Sequence, residues 1–331
     1  MPYRFFCTAC LMATVGLAQN SLMAGSNQGE RFEQLTVKRG STYQKPTSNV
    51  PLGLGEAYLP TGGRFVATNF DLLSYISFAY QLTPSQRKAL MKQAPSWIMY
   101  DRYDIEAQSS DPAARKDDMR ELMRSLLADR FHLAMHKEKR AGTMYALQLI
   151  TPGKPGPNLT PHPPGQLCPT RLQIPATSRG RASGVGIRMP CGSLVGYFSP
   201  DGKLLAGRDV PISLVATEFS RFEECAPVVD ETGLSGRYDL TLQYSTGTTR
   251  RFGEYAGSTG GGGNGTAAPG VDDDLDELVS AGERNPDALD EEHEPPKVKK
   301  ALASELGMKL VKERGDFDVW VIDHVTRPHL N

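Results

Sequence analysis

The chain has 331 residues, 39% of them hydrophobic, and a formal net charge of -1; its pI is near 6.6 and its mean hydropathy -0.39. That length suits two domains, or one domain with a large insertion, and it can bury an adequate core without staples. The balanced charge excludes a global field that would gather nucleic acid or anionic lipid.

The N-terminus has the three parts of a secretory signal. Arg4 supplies the positive region, Phe5–Ala18 the apolar stretch, and small residues at Ala18 and Ala24-Gly25 offer two cleavage positions. Residues 1–24 are therefore expected to be removed, leaving a mature protein outside the cytoplasm, periplasmic or secreted. Gln19-Asn20 interrupts the run before the roughly 20 apolar residues that a bilayer span needs, and no later segment is apolar enough to serve. Cys10 lacks a Leu three positions before it, so a lipoprotein site is the weaker alternative.

Processing would remove Cys7 and Cys10 and leave Cys168, Cys191 and Cys225. An exported protein can hold a disulfide. Cys168 and Cys191 flank one Pro/Gly/Arg-rich loop and are the expected pair, worth about 3 kcal/mol in the chain-entropy account. Cys225 is read as a small buried hydrophobe.

Arg31–Val37 predicts a first strand, and Gly63–Asn69 alternates like a second. Asp71–Leu82 carries an amphipathic helical face through Leu72, Ile76, Phe78, Ala79 and Leu82. Thr83-Pro84-Ser85-Gln86 reads as an N-cap with Pro at the first helical position, opening a helix that Pro95-Ser96-Trp97 ends. Arg102–Gln108 is the next strand, and Asp111-Pro112 opens a long helix to about Asp129. Phe131–Lys137 and Thr143–Ile150 read as a hairpin joined by the charged turn 137–142.

Residues 151–190 carry no periodicity and read as a linker. Beyond them Gly202–Asp209 predicts a strand, Pro211–Phe222 a helix and Gly236–Tyr244 a strand. Val298–Leu306 predicts a helix stopped at Gly307, and Met308–Glu313 with Asp316–Val325 a closing hairpin. Residues 247–296 pass from a Gly-rich run into an acidic one. Such composition cannot bury enough apolar surface to offset the cost of ordering, so this insertion is expected to be disordered.

One phrase occurs twice. Arg102-Tyr103-Asp104-Ile105 and Arg237-Tyr238-Asp239-Leu240 each open a strand in similar surroundings. The sequence therefore predicts an α+β fold of two similar β-α-β-α-β-β repeats with small mixed or antiparallel sheets. They would cover 25–150 and 191–331, with the linker between them and the insertion inside the second.

Several phrases together carry a family resemblance: Arg31-Phe32-Glu33, Leu72–Tyr80, Pro95-Ser96-Trp97 with Arg102–Ala107, and Ser125–Leu133 with His136. Val228–Asp239, Ala301–Leu310 and Val321–Pro328 continue it across nearly the whole mature chain. On these the chain resembles an exported, soil-associated protein family abundant in Acidobacteria and defined by a domain of unknown function. Its start, FEQLTVKR, and the long Gly-rich insertion depart from the pattern. The resemblance implies no activity; fusions of relatives behind membrane metallopeptidase domains imply a sensing or docking role. Each half is also similar, more faintly, to the small N-terminal domain of secretins and TonB-dependent receptors, which is a fold-level analogy and carries no function.

Chemical motifs are few. His132 and His136 stand four apart, but Leu133 holds the position where a zincin-type helix needs its general-base Glu. His324 adjoins Asp323, and neighbouring strand residues point to opposite faces. Gly233-Leu234-Ser235-Gly236 is one residue short of a nucleophile elbow, and Gly260–Gly263 lacks the Lys-Ser/Thr of a phosphate loop. No metal site and no cofactor are expected. Ligand or interface candidates are Arg102, Tyr103, Asp104, Arg237, Tyr238, Asp239, His136 and His324. The reading is a non-catalytic interaction module of the cell envelope, partnered by an envelope protein or peptide rather than nucleic acid. The alternatives are a hydrolase with its site between the repeats, drawing on Asp104, Asp239 and a histidine, and a sensory partner of a membrane metallopeptidase.

Overall fold

The computed structural model describes residues 30–41, 44–168, 172–173, 186–187, 189–199, 202–221, 226–245 and 297–329. The signal segment 1–24, Cys225 and the insertion 247–296 lie outside them.

The first sheet has four strands in the order β1-β4-β3-β2, namely β1 (Gln34–Arg39), β4 (Arg102–Gln108), β3 (Arg64–Asp71) and β2 (Thr47–Ser48). Buried Val37, Phe65, Ala67, Tyr103, Ile105 and Ala107 give it one apolar face, as the alternation of a half-buried strand requires. Four helices cover it: α1 (Leu72–Ala79), α2 (Pro84–Gln93), α3 (Trp97–Tyr100) and α4 (Lys116–Phe131). Asp71 caps α1 through the Ser74 N–H at 2.7 Å. Thr83 caps α2 with Pro84 at its start, as the sequence predicts, and Gln86 completes a capping box. Where Pro95-Ser96-Trp97 was expected only to end a helix, α3 begins. The long helix starts at Lys116 rather than Pro112, because Asp111 instead accepts the Ala113 N–H at 2.8 Å within a turn.

The second sheet has the order β6-β12-β10-β9. It comprises β6 (Leu159–Pro161), β12 (Tyr238–Tyr244), β10 (Gly202–Val210) and β9 (Ser193–Ser199). Two short strands, β7 (Leu172–Gln173) and β8 (Gly186–Ile187), pair with each other. The stretch expected as linker thus contributes β6, which pairs with β12 at its Tyr238–Leu240 end. Helix α5 (Ile212–Phe219) follows β10, and α6 (Val298–Ala301) runs into a π-helical turn, Leu302–Leu306. Gly307, at φ 66°, stops it, the left-handed C-cap that glycine provides at least cost.

The two expected hairpins are not formed. β5 (Ala134–Leu149) and β13 (Met308–His324) are single long strands that pair antiparallel from end to end, Met308 opposite Leu149 and His324 opposite Ala134. Gly142, expected in a turn, instead lies opposite Gly315 within this ribbon. A Cβ on Gly142 would stand 3.1 Å from the Phe317 ring, and one on Gly315 would stand 2.5 Å from Met144 Sδ. The glycines leave room for these diagonal neighbours, so the charged run 137–142 is extended, exposed strand. β11 (Val228–Asp230) adds to β5 in parallel beside Tyr145–Leu147.

The ribbon bridges two apolar cores, each strand giving one end to each. Leu147 and Leu149 of β5 lie in the core of the second sheet, with Val215, Phe219, Leu240, Leu242 and Leu306. Trp320 and Ile322 of β13, with Val325, pack against the core of the first, around Tyr75, Phe78 and Phe131. The result is a mixed α+β protein with several small sheets. Among the described residues, no helix is long and apolar enough to cross a membrane.

Candidate functional site

Both Arg-Tyr-Asp phrases lie at the corner where a sheet turns into its helix, and both corners are built by the same hydrogen bonds. In the first, β3 bulges against β4 between Ala67 and Phe70. Asn69 takes φ 64° there, and its N–H is held by Asp104 Oδ1 at 2.7 Å. In the second, β10 bulges against β12 between Gly207 and Val210. Asp209 takes φ 51°, and its N–H is held by Asp239 Oδ1 at 2.8 Å. A non-glycine residue in the left-handed region is costly unless its surroundings fix it, and each aspartate does so.

The arginines lock the corners. Arg102 binds Asp71 Oδ2 at 3.0 Å, while Arg237 binds Asp209 at 2.6 Å and Glu56 at 2.8 Å. Burial works against the Arg237 charge, but the bonds to Glu56 and Asp209 outweigh it and hold the guanidinium above its ordinary value. Tyr103 is fully buried, edge-on to Phe131 at 5.2 Å, and burial pushes its hydroxyl up. Tyr238 donates to the Ser235 carbonyl at 3.1 Å.

The corners differ in what fills them. The strand beside the first phrase is followed by Gly40, whose N–H donates to the Arg102 carbonyl at 2.8 Å. The strand beside the second is followed by His162, whose N–H donates to the Arg237 carbonyl at 2.8 Å. The His162 ring is 4% exposed. Its Nδ1 stands 2.9 Å from Asp239 Oδ1, and its Nε2 is 3.3 Å from the Gln166 carbonyl and 3.8 Å from Cys168 Sγ. Cys168 and Cys191 are disulfide-bonded, the pair the sequence predicts. One ligand atom each from His162, Cys168, Cys191 and Asp209 lie within 4.8 Å of one another. A loop of the first half closes over this corner: Glu56 and Ala57 both donate their N–H groups to the Gly192 carbonyl, at 3.0 and 3.2 Å.

The remaining candidates are dispersed. His136 lies exposed on the ribbon, 2.8 Å from Asp323 and 3.3 Å from Glu138, and these carboxylates raise its pKa. His324 is exposed at the ribbon's end. His132, expected on a strand, is instead the left-handed C-cap of α4, at φ 50°, 2.9 Å from the Thr326 hydroxyl. Asp104 and Asp239 bind separate bulges and, among the described residues, share no partner. His162 and Asp209 were not among the predicted residues. His162 stands in an aperiodic Pro-rich run and Asp209 at the end of a strand, where only the left-handed backbone marks it.

A family model described as "Protein of unknown function (DUF3738)" matches residues 73–325. No curated protein and no solved structure matches the chain.

Proposed function

The chain belongs to the DUF3738 family, and on that premise we propose that it is a non-catalytic interaction module of the cell envelope. It takes up an extended peptide segment of an envelope partner along the outer edge of β13. The observation that carries this reading is the edge itself. β13 is the terminal strand of its sheet, and such an edge offers main-chain groups to an added strand. Its carbonyls at Asp318 and Trp320 are already taken by the side chains of Gln86 and Gln93, at 3.2 and 2.8 Å. Residues of the same parity nearer its start, Lys312 and Arg314, face outward by the alternation of an antiparallel ladder. With exposed Lys309, Lys312 and Arg314, that segment favours a partner strand bearing acidic side chains.

The disulfide supports a place outside the cytoplasm. The shared strand order and corner geometry support the view that the two halves derive from one unit. Photo-crosslinking in the native envelope, from a reactive residue placed at Lys309, tests the proposal. One dominant partner is expected, lost in Lys312→Pro, which removes an outward N–H and leaves the pairing with β5 intact. A crosslinking pattern unchanged by that substitution, in a variant that still folds, would overturn strand addition.

A further inference from the structure

The second corner gathers four possible metal ligands, a set that the first corner lacks among its corresponding residues. The bulge needs a carboxylate to hold one N–H, and the first corner does this with Asn69, Asp104 and Gly40 in the corresponding places. The second corner places Asp209 where the first has Asn69, and His162 where the first has Gly40, then adds two cysteines. The protein atoms nearest the His162 ring nitrogens are acceptors: Asp239 Oδ1 at Nδ1, the Gln166 carbonyl and Cys168 Sγ at Nε2. With its proton on Nδ1, donated to Asp239, the ring turns the Nε2 lone pair toward the cysteines, the side from which a cation would bind it.

We propose that, once the Cys168–Cys191 disulfide is reduced, this corner is a zinc site. Its ligands are His162 Nε2, the two cysteine sulfurs and a carboxylate oxygen of Asp209. The disulfide and the metal are alternative states of one site. A dithiol reductant supplies two electrons and two protons; the S–S bond breaks, two thiols form, and the dithiol becomes a disulfide. Zn²⁺ then binds as the thiols lose their two protons to solvent.

The geometry fits a tetrahedral ion. Zinc–sulfur bonds near 2.3 Å set ligand atoms about 3.8 Å apart, and here they stand within 4.8 Å of one another. Separation of the sulfurs and a small inward shift of the others complete the shell. Asp239 is the positioning residue, since its bond to Nδ1 turns Nε2 toward the metal, as carboxylates behind zinc-binding histidines do. Two thiolates, one carboxylate and Zn²⁺ leave one negative charge, which Arg237, bound to Asp209 at 2.6 Å, balances. The loop 53–57 limits access from the first half.

The test uses the full chain with Cys7→Ser, Cys10→Ser and Cys225→Ser, so that only the pair in question can supply thiolates. Cobalt(II) serves as the spectroscopic probe and zinc as its competitor, under anaerobic conditions, on oxidised and phosphine-reduced samples. The reduced protein is expected to take up one equivalent, with thiolate-to-cobalt charge-transfer absorption and the intense visible bands of a tetrahedral ion. The same polypeptide with its disulfide intact should show neither. His162→Gln and Asp209→Asn should weaken zinc binding and change the visible bands. Asp239→Asn should lower zinc affinity by about tenfold to a hundredfold while keeping them. Three outcomes would overturn the site: no stoichiometric binding by the reduced protein, a spectrum unaltered by His162→Gln and Asp209→Asn, or loss of the native circular dichroism on reduction.

Discussion

Gly40 and His162 hold corresponding places in the two sheets, each donating its backbone N–H at 2.8 Å to the carbonyl of the arginine that opens the neighbouring strand. The glycine sits in a tight space. A Cβ there would stand 3.0 Å from Arg102 Cβ and 3.1 Å from Asn69 Oδ1 and Asp104 Oδ1. Gly40→Ala is therefore expected to destabilise the protein by about 1–3 kcal/mol, the usual cost of overpacking, as read from urea unfolding. A loss well below 1 kcal/mol would mean that the first corner has slack.

Asp104→Ala and Asp239→Ala each deprive a bulge N–H of its acceptor. Each should cost about 1–3 kcal/mol, the penalty for a buried donor left unmade. Among the described residues the corners share no partner, so the two losses should add in the double variant to within about 0.5 kcal/mol. Strong non-additivity in equilibrium unfolding would show that the corners communicate.

Lys116 is 4% exposed, and its ammonium donates to the carbonyls of Gly53 and Gly55 at 3.0 and 2.5 Å. Burial pulls its pKa down to about 7 from 10.5. A lysine depressed in the folded state binds its proton more tightly when unfolded, so its burial penalty is fullest below pH 7 and is relieved as pH rises toward 10.5. Lys116→Met should remove that dependence. Comparing the two proteins by urea unfolding, the parent should gain on the variant between pH 7 and 10, by up to about 1.4 kcal/mol per pH unit. Parallel pH profiles would refute this assignment.

His136 presents the opposite sign. Asp323 and then Glu138 raise its pKa by hydrogen bonding, so its tie to the ribbon is complete at pH values below 6.5 and is lost as pH rises through the raised value. In Asp323→Asn, the midpoint of the His136 ring resonances by NMR should move down toward 6.5. Backbone amides around Asp323 should also exchange faster. An unmoved midpoint would show that Asp323 does not hold the ring in solution.

Much of the local architecture was legible in the residues. Thr83 with Gln86, the Gly307 stop, the strands at Arg102 and Tyr238 and the Cys168–Cys191 pair each follow from short-range chemistry. The ribbon was not legible, because alternation along β5 or β13 says nothing of which strand lies alongside, and a charged run with a glycine reads equally as a turn. His162 escaped for a related reason. Its importance comes from a neighbour 77 residues away and from a bulge whose left-handed residue is aspartate rather than glycine. The duplicated phrase pointed to two corners built by the same hydrogen bonds, but not to the difference between them.

The packing of the far end of β13 on the first core bears on how the chain comes to be folded. Tyr80 meets Trp320 edge-on at 4.9 Å, Asp101 binds Arg327 at 2.8 Å, and the Thr326 N–H closes on the Phe131 carbonyl at 2.7 Å. A polypeptide still leaving the ribosome has none of these contacts until residues 320–327 have been made. Tyr80, Asp101 and Phe131 therefore wait, incompletely covered, for partners 240, 226 and 195 positions further along the chain. Such late, long-range closure is slow and leaves an interval in which chaperones can hold the nascent chain unfolded.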